Sequence, residues 1–201
     1  MEAYPLSIAL FDFVPVTLFL IGAFFLVRMA IQMRGSSCGR MAMAGALLVF
    51  LGGFLKATWK LLYAAGLADI RWMSEVQFAL VAPGFLALLV TAILMARGRR
   101  KAAAPPVMAI AAWKIPLLAV MTLSSMGAQG ILAYLSFRRR VPLAAVGFIV
   151  AFLCLVAMGS MASSEQTVAK QWIEESINTF GQLGFMVGAI LLQRDVRAKG
   201  C

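Results

Sequence analysis

Trp72-Met73-Ser74-Glu75 opens an uncharged run through Gly84-Phe85, and one hundred residues later Trp172-Ile173-Glu174-Glu175 opens another through Gly184-Phe185. Trp, Glu, Gly and Phe coincide in four of fourteen aligned positions, where average residue usage gives about one. The same offset relates Pro5 to Pro105, Leu18 to Leu118, Ile31 to Ile131, Ser36 to Ser136, Arg40 to Arg140 and Ala44 to Ala144. The spacing predicts two related units, each built from three apolar segments.

The apolar character of those segments decides the fold class. Of 201 residues, 63% are apolar and 13% charged, and the mean hydropathy is +0.93. That leaves too few polar residues to clothe a soluble domain. The apolar residues also come in long blocks, which amphipathic surface helices do not produce. The expectation is an all-α, polytopic helical membrane protein with about six transmembrane helices in two tandem three-helix units. Residues 1–97 form the first, 98–114 a basic Ala/Pro-rich linker, and 115–201 the second. The lipid bilayer is then the obligatory partner, and a plasma (inner) membrane is the expected location. A homo-oligomer or a larger membrane complex is compatible with the composition.

The net charge of +10 does not indicate nucleic acid. Its residues cluster at segment ends, in Arg97 to Lys101, Arg138 to Arg140 and Arg194 to Lys199, where cations meet headgroups and set topology. The chain has no histidine, which removes imidazole from haem ligation, metal sites and acid–base catalysis. Cys38, Cys154 and Cys201 are too scattered for a metal or redox motif. No phosphate-cradling glycine loop or nucleophile elbow occurs. Neither catalytic residues, a metal site nor a cofactor is indicated.

The six segments are Leu6–Val27, Met41–Leu55, Val76–Ala96, Ile115–Phe137, Val141–Ala162 and Ser176–Gln193. The first carries Asp12, near enough to its start to stay among headgroups, and Pro15, which predicts a kink. Residues 28–40, with Gly35-Ser36-Ser37-Cys38-Gly39, read as a flexible loop. The second segment has only 15 uncharged residues, a rise of about 22 Å against a hydrocarbon core of about 30 Å. To span, it must carry Lys56 into the membrane, while Lys60, one turn later, can snorkel. Gly52 and Gly53 allow a bend or close helix approach, Pro83-Gly84 interrupt the third segment, and Gly184 and Gly188 form a GxxxG pair. The fourth segment reads Ser124-Ser125-Met126-Gly127-Ala128-Gln129-Gly130 at its middle, polar and small for mid-membrane.

Charge and parity disagree. Six crossings joined by same-side loops put the two odd-numbered units in opposite orientations, with nine basic residues on one side and seven on the other. If the fourth segment dips in and returns, fourteen gather on one side, as the positive-inside rule prefers. Its 23 uncharged residues favour a full span, so six spans is the expectation and five spans with a re-entrant hairpin the rival. A further crossing between Lys101 and Phe137 is cramped, since two spans need about 40 residues.

Ionisable residues inside membrane segments point to function. Lys56 is the foremost, with Glu175, Asn178 or Gln182 as its expected partner. Glu75 and Glu175, at matching segment starts, fit helix capping as well as a polar pathway. Duplicated units, broken helices and buried polar residues together resemble transporter architecture in general. The functional expectation is therefore a small transporter or channel for a small solute or ion, with a polar site between the triplets. The alternatives are a non-catalytic membrane subunit and, third, a membrane-embedded enzyme.

Overall fold

The computed structural model describes residues 5–97, 114–161 and 167–200. Among them every regular element is a helix: α1 Leu6–Phe11, α2 Phe13–Arg34, α3 Ser36–Ala64, α4 Arg71–Ala96, α5 Lys114–Arg138, α6 Pro142–Met161 and α7 Val168–Lys199. Helices α1 and α2 make one crossing of 29 residues, interrupted at Asp12. Pro15 has no N–H for the Phe11 carbonyl and crowds it, so the helix yields just upstream of the proline. Five of the crossings are long and apolar enough to span a bilayer on composition alone. The sixth, α7, is longer, with 32 residues, but more polar at its start. The protein is a helical membrane protein, and large side chains such as Leu143, Leu123 and Phe180 point outward, where lipid receives them.

The turn between α2 and α3 is a single residue rather than the loop expected over 28–40. Gly35 takes φ +87° there, a backbone setting that a side chain resists. Pro83 does not interrupt α4, which runs unbroken from Arg71 to Ala96. At the α3–α4 corner, Asp69 accepts from Arg71 and Trp59. The hydrogen bond from Arg71, then that from Trp59, holds its carboxyl below the usual range.

The helices close a ring in chain order, with α7 returning to α2. Three α2–α7 contacts, Asp12 with Glu175 through Lys60, Gly22 against Phe185, and Gln32 with Gln193, advance in step. Helices α2 and α7 are therefore parallel. On the other seam, Arg34 at the end of α2 donates to the carbonyls of Leu94 and Arg97, and Arg139 beyond α5 pairs with Asp195 near the end of α7. The C-terminal ends of α2, α4, α5 and α7 thus share one end of the bundle, so α4 and α5 also run parallel.

This corrects the sequence-based parity. Helix α5 runs in the direction of α2 and α4, and it is one continuous helix through Ser124–Gly130, neither reversed nor re-entrant. The chain leaves α4 at one end and enters α5 at the other. The linker that joins them, residues 98–113, lies outside the described residues.

The charge conflict disappears with it. Arg28, Arg34, Arg40, Arg97, Arg138, Arg139, Arg140, Arg194, Arg197 and Lys199 all belong to one end, here called the basic end. Arg71 and Lys170 belong to the other, where Lys114 also opens α5. Cysteines placed at Ser36 and Arg140, in a background without Cys38, Cys154 and Cys201, are expected to react with an impermeant maleimide from the same side. Cysteines at Leu67 and Thr167 should react from the opposite side. Ser36 and Arg140 labelling from different sides would refute the parallel arrangement.

Aromatic rings pack around Phe19 near the middle of the ring. The Phe19 ring stacks on Phe185 at 5.6 Å and meets Phe85 edge-on at 6.2 Å, while Phe148 lies 6.3 Å from Phe185. Phe85 and Phe185, one hundred residues apart in the sequence, both converge on Phe19 of the first crossing. Each unit also has a glycine contact between its second and third crossings, Gly45 with Gly84 and Gly147 with Gly184.

Candidate functional site

At the end opposite the basic end, three helices bring charges together inside the protein. Helix α1 lies against α3, and the carboxylate of Asp12, which keeps helical dihedrals, reaches the last turns of α3. There Lys60 Nζ lies 2.6 Å from Asp12 Oδ2 and 2.8 Å from Glu175 Oε1. All three side chains are at most 10% exposed. Removing each ion from water costs several kcal/mol, which mutual attraction offsets only in tight geometry such as this.

Lys56 sits one turn deeper on α3, half-buried, within electrostatic reach of Glu175 and Asp12. Counted with every group ionised, the two lysines balance the two carboxylates. Asp12 Oδ1 is buried, and no donor reaches it among the described residues; the Asp12 carboxyl also lies against that of Glu175. The next charges on α7 pair among themselves, Lys170 with Glu174 at 3.3 Å. Lys170 also donates to the Met161 carbonyl at 2.6 Å, closing the α6–α7 corner.

The sequence-based roles are thus redistributed. Lys60, expected to snorkel, holds the two carboxylates, and Lys56 takes the outlying place. Asp12, expected among headgroups, is 5% exposed. Glu175 is in the cluster, but not as a cap: α7 starts at Val168, and its N-cap is Thr167, which accepts from the Lys170 N–H. Glu75 is exposed near the start of α4, also beyond the first turn. Asn178 and Gln182 are half-buried on α7, in the turns that follow Glu175.

The glycines act by letting helices approach closely. A Cβ on Gly52 would lie 2.5 Å from Val81 Cγ2, on Gly53 3.3 Å from Val16, and on Gly188 3.0 Å from the Ala144 carbonyl. Lys60 and Asp12 were visible in the sequence as an i+4 partner of Lys56 and a charge just ahead of a proline. What was missing was the neighbour each one meets.

Chemically, the cluster ties the first two crossings to the last; the two three-helix units are those expected from the sequence. Asp12 and Lys60 come from the first and Glu175 from the second, so any movement between the units at this end must stretch the Lys60–Glu175 bond. The opposite end of the same seam is held by the uncharged Gln32–Gln193 contact at 3.4 Å. No protein-family model, curated protein or solved structure matches the chain.

Proposed function

We propose that the protein is a small transporter of the plasma (inner) membrane, in which the two three-helix units move against each other along the α2–α7 seam. The observation that carries this reading is the buried Asp12–Lys60–Glu175 cluster shared between the units. Intramembrane charges are expensive and belong with ion or proton pathways. Protonating a carboxylate of the cluster, or placing a small cation against Asp12 Oδ1, weakens the hold of Lys60 on Glu175 and releases the seam at that end. The basic end faces the cytoplasm by the positive-inside rule, so the cluster is the outer latch. The aromatic contact of Phe19, Phe85 and Phe185 closes the pathway midway.

Solid-supported-membrane recordings on proteoliposomes test this with a panel of amino acids, polyols, organic cations and inorganic ions. At least one class should give a transient current that grows with a pH gradient and is lost in Glu175→Gln. A second reading, a non-catalytic subunit of a larger complex, draws on the aromatic packing around Phe19. A purified protein that gives no current with any solute, and that carries a stoichiometric partner from the membrane, would establish that reading instead.

A further inference from the structure

We infer that the interior face of α5 carries a binding site for a small uncharged polyol, built on Ser125 and Gln129. These residues are one helical turn apart, and they are 2% and 8% exposed. Ser125 Oγ and Gln129 Oε1 are buried with no hydrogen-bond partner among the described residues. Leu132 and Ser136 continue the same strip at i+7 and i+11 and are fully buried, while Leu123, Gly130, Tyr134 and Phe137 turn the other side of α5 outward. The two groups therefore face the bundle and not the lipid.

Their depth sets the ligand chemistry. Ser125 lies about 16 Å along the helix from Lys114 and about 20 Å from Arg138, at the middle of the membrane. An unpaired polar atom there costs the full desolvation penalty of the group, and two on one turn mark a place that a polar guest completes. Between Lys114 and Arg138, α5 has no ionisable residue except Tyr134, which faces outward, so the strip offers no counter-charge to an ion. Gln129 Oε1 needs a donor, and the Ser125 hydroxyl both donates and accepts. Neighbouring hydroxyls on one small molecule meet both requirements.

The inference rests on the transporter reading and supplies its substrate class. In that scheme the Asp12–Lys60–Glu175 cluster handles the proton or cation, and Ser125 and Gln129 hold the solute. Uptake of radiolabelled erythritol and xylitol into proteoliposomes, driven by an inside-alkaline gradient, is the test. Wild-type protein should accumulate at least one of them above protein-free vesicles. Gln129→Leu and Ser125→Ala should each lower uptake by about ten-fold, the order expected for one hydrogen bond. Both should keep or raise the melting temperature, since each removes a buried unpaired group. Wild-type uptake in the double variant would overturn the site, as would no accumulation of either polyol. Currents with another solute in that case would leave the transporter reading standing, whereas silence across the whole panel would remove both.

Discussion

Lys60→Met should be among the most damaging single substitutions in the chain, destabilising the fold by about 3–5 kcal/mol, the cost of leaving a buried ion without its partner. The change removes the ammonium 2.6 Å from Asp12 and 2.8 Å from Glu175 and leaves two carboxylates facing each other in a dry setting. Lys56, a turn away on α3, makes no bond to either carboxylate among the described residues and acts on them at a distance. The expected readout is a fall in melting temperature on the order of 10 °C, followed in detergent by thermal-shift fluorescence. Neutralising the whole group, as Asp12→Asn with Lys60→Met and Glu175→Gln, should recover most of the loss. A buried charge set costs as much to desolvate as it returns, and breaking it is worse than deleting it. Lys56→Met should cost less, because Lys56 acts on the two carboxylates only at a distance. The opposite ranking, with Lys56→Met damaging and Lys60→Met silent, would show that Lys56 is the lysine that holds the carboxylates.

The ranking of the two lysines shows where the sequence stops being legible. The apolar blocks identified a membrane protein because they exceed anything a soluble helix needs. The hundred-residue offset singled out Gly84 with Gly184 and Phe85 with Phe185, and each pair has matching surroundings, a glycine from the preceding helix and the ring of Phe19. A sequence gives position along a helix, though, and not what lies alongside it. Lys60 looked close enough to water to snorkel, yet α1 and α7 cover it. Asp12 looked interfacial, yet its carboxylate reaches Lys60 inside the protein. Glu175 looks like a cap because the apolar segment begins at Ser176, whereas Thr167 caps a helix that starts two turns earlier. The direction of the second unit was misread because residues 98–114 were counted as a loop that stays on one side. The excess of arginine at one end already contradicted that count, and the contact of Arg139 with Asp195 explains why.

Leucine at Gly147 or Gly184 should prevent α6 and α7 from packing, and even alanine should be costly. A Cβ on Gly147 would sit 2.6 Å from the Gly184 carbonyl oxygen, and one on Gly184 would sit 2.7 Å from that of Gly147. The obstacle in both cases is backbone, which cannot rotate away, so the two helices must separate along their length. Such overpacking costs about 1–3 kcal/mol for a methyl group, and the better helix propensity of alanine returns at most about 1 kcal/mol. The first unit has the same arrangement, with a Cβ on Gly45 lying 2.8 Å from the Gly84 carbonyl oxygen. Gly45→Ala and Gly147→Ala should therefore lower the melting temperature by similar amounts, and Gly147→Leu should abolish a monodisperse peak in size-exclusion chromatography. Gly130 and Gly159 are the controls, because nothing lies within 4 Å of a Cβ on either. Alanine there should be neutral or mildly stabilising. If alanine at Gly147 is as harmless as at Gly130, the second and third crossings of the unit do not touch through their backbones. The parallel drawn between Gly45–Gly84 and Gly147–Gly184 would then lose its physical basis.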